Sequence, residues 1–136
     1  MSERTLIDTL FVVALVNQRD QHHERAAELA EEYEDRLFLV TDVVLLEIGN
    51  ALAKAFRPEA IKLIDGFLSS PDVEVVHLSP GLFKEAWDLY RSHRDKEWGL
   101  VDCVSFVVMR NAGVKDALTF DQHFVQAGFT ALMRKN

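Results

Sequence analysis

The chain has 136 residues, with 49% hydrophobic and 27% charged side chains, a single cysteine and a formal net charge of −7. That length suits one domain over 1–136 able to close an apolar core unaided, and a lone Cys103 excludes an internal disulfide framework and fits a reducing compartment, so cytoplasm is expected. No apolar run approaches the roughly 18 residues that a membrane span needs, and Leu10–Val16, preceded by Asp8 and followed by no small-residue cleavage site, reads as part of the fold and not as a signal peptide.

Helical and strand patterns alternate from end to end, with no repeat, linker or low-complexity stretch, which predicts an α/β fold with a mostly parallel sheet. Arg4–Ile7 reads as the first strand and Leu10–Val16 as a short apolar helix. Gln21–Glu34 follows as an amphipathic helix capped by Asp20, with Ala26, Leu29, Ala30 and Tyr33 on its inner face. Its solvated face and end carry Glu24, Glu28, Glu31, Glu32, Glu34 and Asp35, which hold much of the acidic excess. The charge balance therefore weakens a nucleic-acid reading without excluding it, because a protein that meets phosphate through metal ions needs no strongly basic surface.

Leu37–Val40 is the second expected strand. Thr41 caps a helix predicted over Asp42–Phe56, with Leu45, Ile48, Leu52 and Phe56 on one face and Glu47, Asn50 and Lys54 as a narrow polar stripe. Pro58 fits the first turn of the next helix, which runs to Ser69 with Ile61, Ile64 and Phe67 or Leu68 inward. After a third strand at Val73–His77, Pro80 starts a helix whose stripe of Phe83, Ala86, Trp87 and Tyr90 is expected to be buried. Val101–Ala112 is apolar on nearly every side and stops at Gly113, and strands at Ala117–Phe120 and around Phe129–Met133 complete the sheet.

Four acids stand out against this frame. Asp8 and Asp121 directly follow the first and fourth strands, at the edge where ligands gather in parallel sheets, although each taken singly reads first as the cap of the helix behind it. Over Leu100–Met109, Asp102 and Ser105 are the only polar members, three residues apart and so on one face. A lone carboxylate entering a core costs several kcal/mol unless it meets a cation or takes up a proton, so Asp102 points to function. Glu47 fits a site or a solvated stripe equally, and Lys54 a phosphate contact or an ordinary exposed lysine. Convergent carboxylates call for a hard divalent cation, Mg²⁺ or Mn²⁺, while His22 and His23 are adjacent and lack the spacing of a zinc pair.

These residues resemble the motifs of PIN domains. Asp8-Thr9 is similar to the family's opening motif, followed by Asp20, His23 and Ala26; Thr41 with Glu47-Ile48-Gly49-Asn50-Ala51-Leu52 resembles the second acidic motif. Leu100-Val101-Asp102-Cys103-Val104-Ser105-Phe106 resembles the third, and Leu118-Thr119-Phe120-Asp121-Gln122-His123-Phe124 with Ala127-Gly128-Phe129 the fourth. Each motif alone is weak, but four in order span nearly the whole chain. The resemblance implies a three-layer sandwich around a parallel sheet ordered 3-2-1-4-5, and cleavage of RNA phosphodiesters with Mg²⁺ or Mn²⁺. It implies Asp8, Asp102 and Asp121 as metal ligands, Glu47 completing the shell or orienting water, and Thr9 as a supporting hydrogen-bonding group; Asn50, Lys54 and Ser105 are further supporting candidates. Compact members are often VapC-type toxins, which implies a homodimer and a small antitoxin that blocks the pocket. Gly99 departs from the serine or threonine common before the third acid, but removes no ligand.

Two other readings compete. A phosphoacceptor receiver domain should show adjacent acids after an early strand and a lysine after a late one, whereas Asp8 stands alone and Lys115 precedes its strand. A non-catalytic PIN-like RNA- or protein-binding module is the other alternative, against which the four intact acids count.

Overall fold

The computed structural model describes residues 3–134. Its strands β1 (Arg4–Ile7), β2 (Leu37–Thr41), β3 (Val73–Val76), β4 (Asp116–Leu118) and β5 (Thr130–Ala131) form a sheet ordered β3-β2-β1-β4-β5. Every pairing is parallel. The helices are α1 (Thr9–Val16), α2 (His23–Glu32), α3 (Asp42–Ala51), α4 (Arg57–Ser69), α5 (Pro80–Ser92), α6 (Leu100–Ala112) and α7 (Gln122–Gln126), with a closing 3₁₀ turn at Leu132–Arg134.

Strand alternation divides the core in two. Successive side chains point to opposite faces of a strand. Ile7, Val40 and Leu118 therefore pack with Phe11, Val12, Ala26, Leu29, Val44 and Ile48 on one side, against α1 to α4. Their neighbours Leu6, Leu39 and Ala117 pack with Leu82, Ala86, Phe106 and Met109 on the other, against α5 and α6. The result is the expected three-layer α/β sandwich. Leaving β1, the chain crosses first toward β2 and β3, then back to β4 on the other side of β1. The strand order thus reverses beside β1, which makes the carboxyl ends of β1 and β4 the edge where open parallel sheets bind ligands.

Local chemistry sets most boundaries. The Thr41 hydroxyl accepts from the Val44 N–H and Ser79 from the Leu82 N–H, each satisfying a helix-start donor. Gly113 ends α6 in the left-handed conformation at φ 69°, which a glycine adopts without a Cβ clash.

Four expectations need correction. Asp20 does not cap α2, which runs His23–Glu32 after His22; its Oδ1 accepts from the His22 N–H in the preceding turn. The helix predicted over Asp42–Phe56 ends at Ala51, where the N–H of the buried Leu52 closes it on the Ile48 carbonyl, and the chain restarts as α4 at Arg57 with Pro58 in its first turn. In α4, Ile61 and Leu68 face solvent, while Ala60, Leu63, Ile64 and Phe67 face the core. In α5 the buried stripe is Leu82, Ala86 and the half-buried Leu89, so that Phe83, Trp87 and Tyr90 remain 44%, 40% and 41% exposed as a stacked ladder. The small side chains let α5 lie close against α6, and the large ones are excluded from that contact.

Candidate metal centre

The centre begins with the register of the two middle strands. Leu6 pairs with Ala117 and Ile7 with Leu118, so the next step sets Asp8 opposite Thr119. The Asp8 N–H donates to the Leu118 carbonyl at 3.3 Å, and the Thr119 hydroxyl donates to Asp8 Oδ2 at 2.8 Å. The same hydroxyl accepts from the Asp121 N–H at 3.1 Å, so one buried side chain sets both acids. Asp8 makes no side-chain capping bond to α1. It is only 6% exposed, and burial pushes its carboxyl up from an ordinary 3.8 to about 7, with the charges of Asp102 and Asp121 adding to the rise and the Thr119 hydrogen bond opposing it.

Asp102 arrives from the first turn of α6. Its Oδ2 accepts from the Gly99 N–H at 3.2 Å, which orients the carboxylate at the helix start. Burial again raises its pKa above the usual carboxylate value, opposed by the Gly99 N–H and His123. An aromatic cluster holds α6 against α7. Phe106 meets Phe124 edge-on at 5.0 Å and Trp98 at 5.1 Å, and Trp98 Nε1 donates to Gln126 Oε1 at 2.9 Å.

That packing brings the start of α7 over Asp102. Asp121 Oδ1 accepts from the His123 N–H at 2.9 Å, so Asp121 is indeed the cap of α7. The cap and site readings are compatible, because the same carboxylate lies beside the pocket. His123 Nδ1 stands 3.2 Å from Asp102 Oδ2 and 3.3 Å from Asp121 Oδ1. One donor atom from each of Asp102, Asp121 and His123 falls within 4.8 Å of the others. Asp8 is repelled by both acids and Asp102 by Asp121, so the three predicted aspartates lie close enough to feel one another's charge. Oxygen donors of this kind, with no thiolate, suit Mg²⁺ or Mn²⁺.

The remaining predicted residues divide. Thr9 Oγ1 donates to Glu47 Oε1 at 2.7 Å, which ties α3 to the residue after Asp8. Asn50 and Lys54 are exposed on and just after α3, with no hydrogen bond to an acid among the described residues. Ser105 is 1% exposed, one turn below Asp102, and its hydroxyl has no hydrogen-bond partner among the described residues. A buried hydroxyl left unpaired costs about 1–3 kcal/mol.

Thr119 and His123 were not singled out as site residues by sequence. Thr119 carried a usable signal, as a polar residue in an otherwise apolar strand end two positions before an acid. His123 sits two residues after Asp121 in the fourth motif, but its nearness to Asp102 depends on the approach of α6, which spacing within α7 does not reveal.

The sequence matches the PIN domain family over residues 5–130. It is 32% identical over 123 residues to the 23S rRNA-specific endonuclease VapC20 of Mycobacterium tuberculosis, in strains CDC 1551 and H37Rv, covering 90% of this chain and 93% of the relative. Among solved structures, the crystal structure of M. tuberculosis VapC20, a sarcin–ricin loop cleaving toxin, superposes with a TM-score of 0.83 at 29% identity, over 93% of this chain and 96% of that one. VapBC2 of Rickettsia felis, bound to a DNA fragment from its promoter, gives a TM-score of 0.64 at 15% identity over 94% and 96% of the two chains. DNA-bound VapBC of Salmonella typhimurium gives 0.64 at 13% over 96% of each. At such low identity, these last two show a shared fold.

Proposed function

The chain belongs to the PIN domain family, and on that premise we propose that it is a divalent-metal-dependent endoribonuclease serving as the toxin of a toxin–antitoxin pair. The observation that carries the reading is the convergence of Asp8, Asp102 and Asp121 from three separate segments on one pocket, at a cost in burial and repulsion that a bound cation relieves. The M. tuberculosis relative supports RNA as substrate and a toxin role.

Asp8, Asp102 and Asp121 would hold Mg²⁺ or Mn²⁺. When bound, the cation supplies Lewis acidity at the phosphate and makes a water acidic enough to attack near neutral pH. Thr119 fixes Asp8, Gly99 fixes Asp102, and the cap to α7 fixes Asp121, so the acids are oriented before RNA binds. Glu47, held by Thr9, orients the attacking water and takes its proton. Exposed Asn50 and Lys54, on and just after α3, would meet the RNA backbone. In-line attack then leaves a 5′-phosphate and a 3′-hydroxyl.

Two surfaces support protein partners. An apolar groove of about 610 Å³ between α1, α2 and α4, lined by Phe11, Leu15, Val16, Leu63 and Phe67, fits the apolar face of an antitoxin segment. Such a segment would also carry a basic side chain into the acid pocket. The exposed Phe83–Trp87–Tyr90 ladder is the kind of patch that self-association covers, in keeping with a homodimer.

End-mapping of products from ribosomal and transfer RNA tests the chemistry. Cuts bearing a 5′-phosphate are expected with Mn²⁺ and none with EDTA. Products ending in a 2′,3′-cyclic phosphate would contradict activated-water attack.

A further inference from the structure

Building on the metal-centre reading, we propose that His123 is a direct metal ligand through Nδ1 and that it biases the centre toward Mn²⁺ over Mg²⁺. It lies within the fourth acidic motif, two residues after Asp121, but the resemblance implies only the acids as ligands.

Spacing is the first argument. With bonds of about 2.1–2.2 Å at right angles, neighbouring donors in an octahedral shell lie about 3 Å apart. His123 Nδ1 lies 3.2 Å from Asp102 Oδ2 and 3.3 Å from Asp121 Oδ1, which is the relation of one donor to two neighbours in such a shell. A histidine serving only to orient a carboxylate would settle on one acid, whereas Nδ1 is shared almost equally between two from different elements.

Rigidity is the second. The His123 N–H is held by Asp121 Oδ1, and the next residue, Phe124, is fully buried against Phe106. The ring is therefore delivered to the pocket by the same contacts that deliver Asp121. The His123, Asp102 and Asp121 side chains are each only about one-fifth exposed, at 22%, 20% and 22%, which leaves the three donors facing one another more than solvent.

Donor chemistry gives the consequence. Imidazole nitrogen binds transition-series cations well and Mg²⁺ poorly, whereas carboxylates accept both. Replacing the nitrogen should therefore weaken Mn²⁺ binding far more than Mg²⁺ binding.

The test is Mn²⁺ titrated into metal-free protein, with bound metal counted by electron paramagnetic resonance and its ligands read by electron spin-echo envelope modulation. Wild type should bind Mn²⁺ with ¹⁴N modulation of a directly coordinated imidazole. His123→Gln, which retains the backbone N–H that Asp121 caps, should lose that modulation and bind Mn²⁺ about tenfold more weakly, with Mg²⁺ affinity by competition changed less than about threefold. His22, His23, His77 and His93 remain in the variant and control for stray coordination. Bound Mn²⁺ without ¹⁴N modulation in wild type overturns the role of His123 and leaves the metal centre standing; so does modulation that persists in His123→Gln. Failure of wild type to bind Mn²⁺ at all overturns the metal centre itself. If the variant does not fold by circular dichroism, the wild-type spectrum alone decides.

Discussion

Replacing Asp8 by asparagine should stabilise the metal-free protein, and by an amount that grows with pH. Asp8 is buried, and its carboxyl titrates at about 7 in the fold against 3.8 as an ordinary aspartate. The folded state thus holds this proton more tightly than the unfolded state does. The stability that proton confers is complete below about pH 4 and is lost as pH rises through about 7. A shift of three units corresponds to about 4 kcal/mol by pH 8, of which about 2 kcal/mol is already lost at pH 5 because the unfolded chain ionises first. Asparagine keeps the shape, can still accept from Thr119 Oγ1 and never ionises. At roughly 3–4 °C per kcal/mol for a chain of this size, Asp8→Asn in EDTA should melt roughly 7 °C above wild type at pH 5 and roughly 14 °C above it at pH 8. Differential scanning calorimetry in EDTA across this range measures both gaps. A gap that does not widen with pH, or a variant that melts below wild type at pH 8, refutes the picture of a strained buried acid.

Asp121→Asn should melt at or above wild type in EDTA, since asparagine caps α7 as well as aspartate, and should gain less from Mn²⁺ than wild type does. Equal metal shifts in thermal melts would reject Asp121 as a ligand. Thr119→Val removes the donor to Asp8 and the acceptor of the Asp121 N–H together, so it should cost about 1–3 kcal/mol in denaturant titration and slow RNA cleavage; unchanged stability and rate would show that Thr119 positions nothing. Light scattering should report a dimer that Trp87→Arg, on the exposed ladder, converts to monomer; a strict monomer in wild type contradicts self-association.

Much of this architecture could be read directly from the residues. Alternating helix and strand patterns fix a parallel sheet, and placing the first and fourth strands together is what lets Asp8 and Asp121 meet. Asp102 stood out because a charge on a largely apolar helix is costly unless paired, and the structure pairs it with the Gly99 N–H at the helix start and with His123. What failed did so for a physical reason. In α5, Leu82–Ala86–Leu89 and Phe83–Trp87–Tyr90 are two apolar stripes displaced by one residue, and helical periodicity is the same for both. Only the close approach to α6 selects the smaller set. Thr119 and His123 escaped because their roles arise from contacts with Asp8 and Asp102, 111 and 21 residues away. Cap and ligand are compatible roles for Asp121, since a carboxylate oxygen has two lone pairs and the cap uses one.

The most direct test of the account is the rate of RNA cleavage by wild type and Asp102→Asn, each with Mn²⁺ and with EDTA, in protein free of contaminating nuclease. Loss of several kcal/mol of transition-state stabilisation predicts cleavage at least about a hundredfold slower in the variant, and none by either protein in EDTA. Undiminished cleavage by Asp102→Asn, or wild-type cleavage that persists without divalent metal, would contradict it.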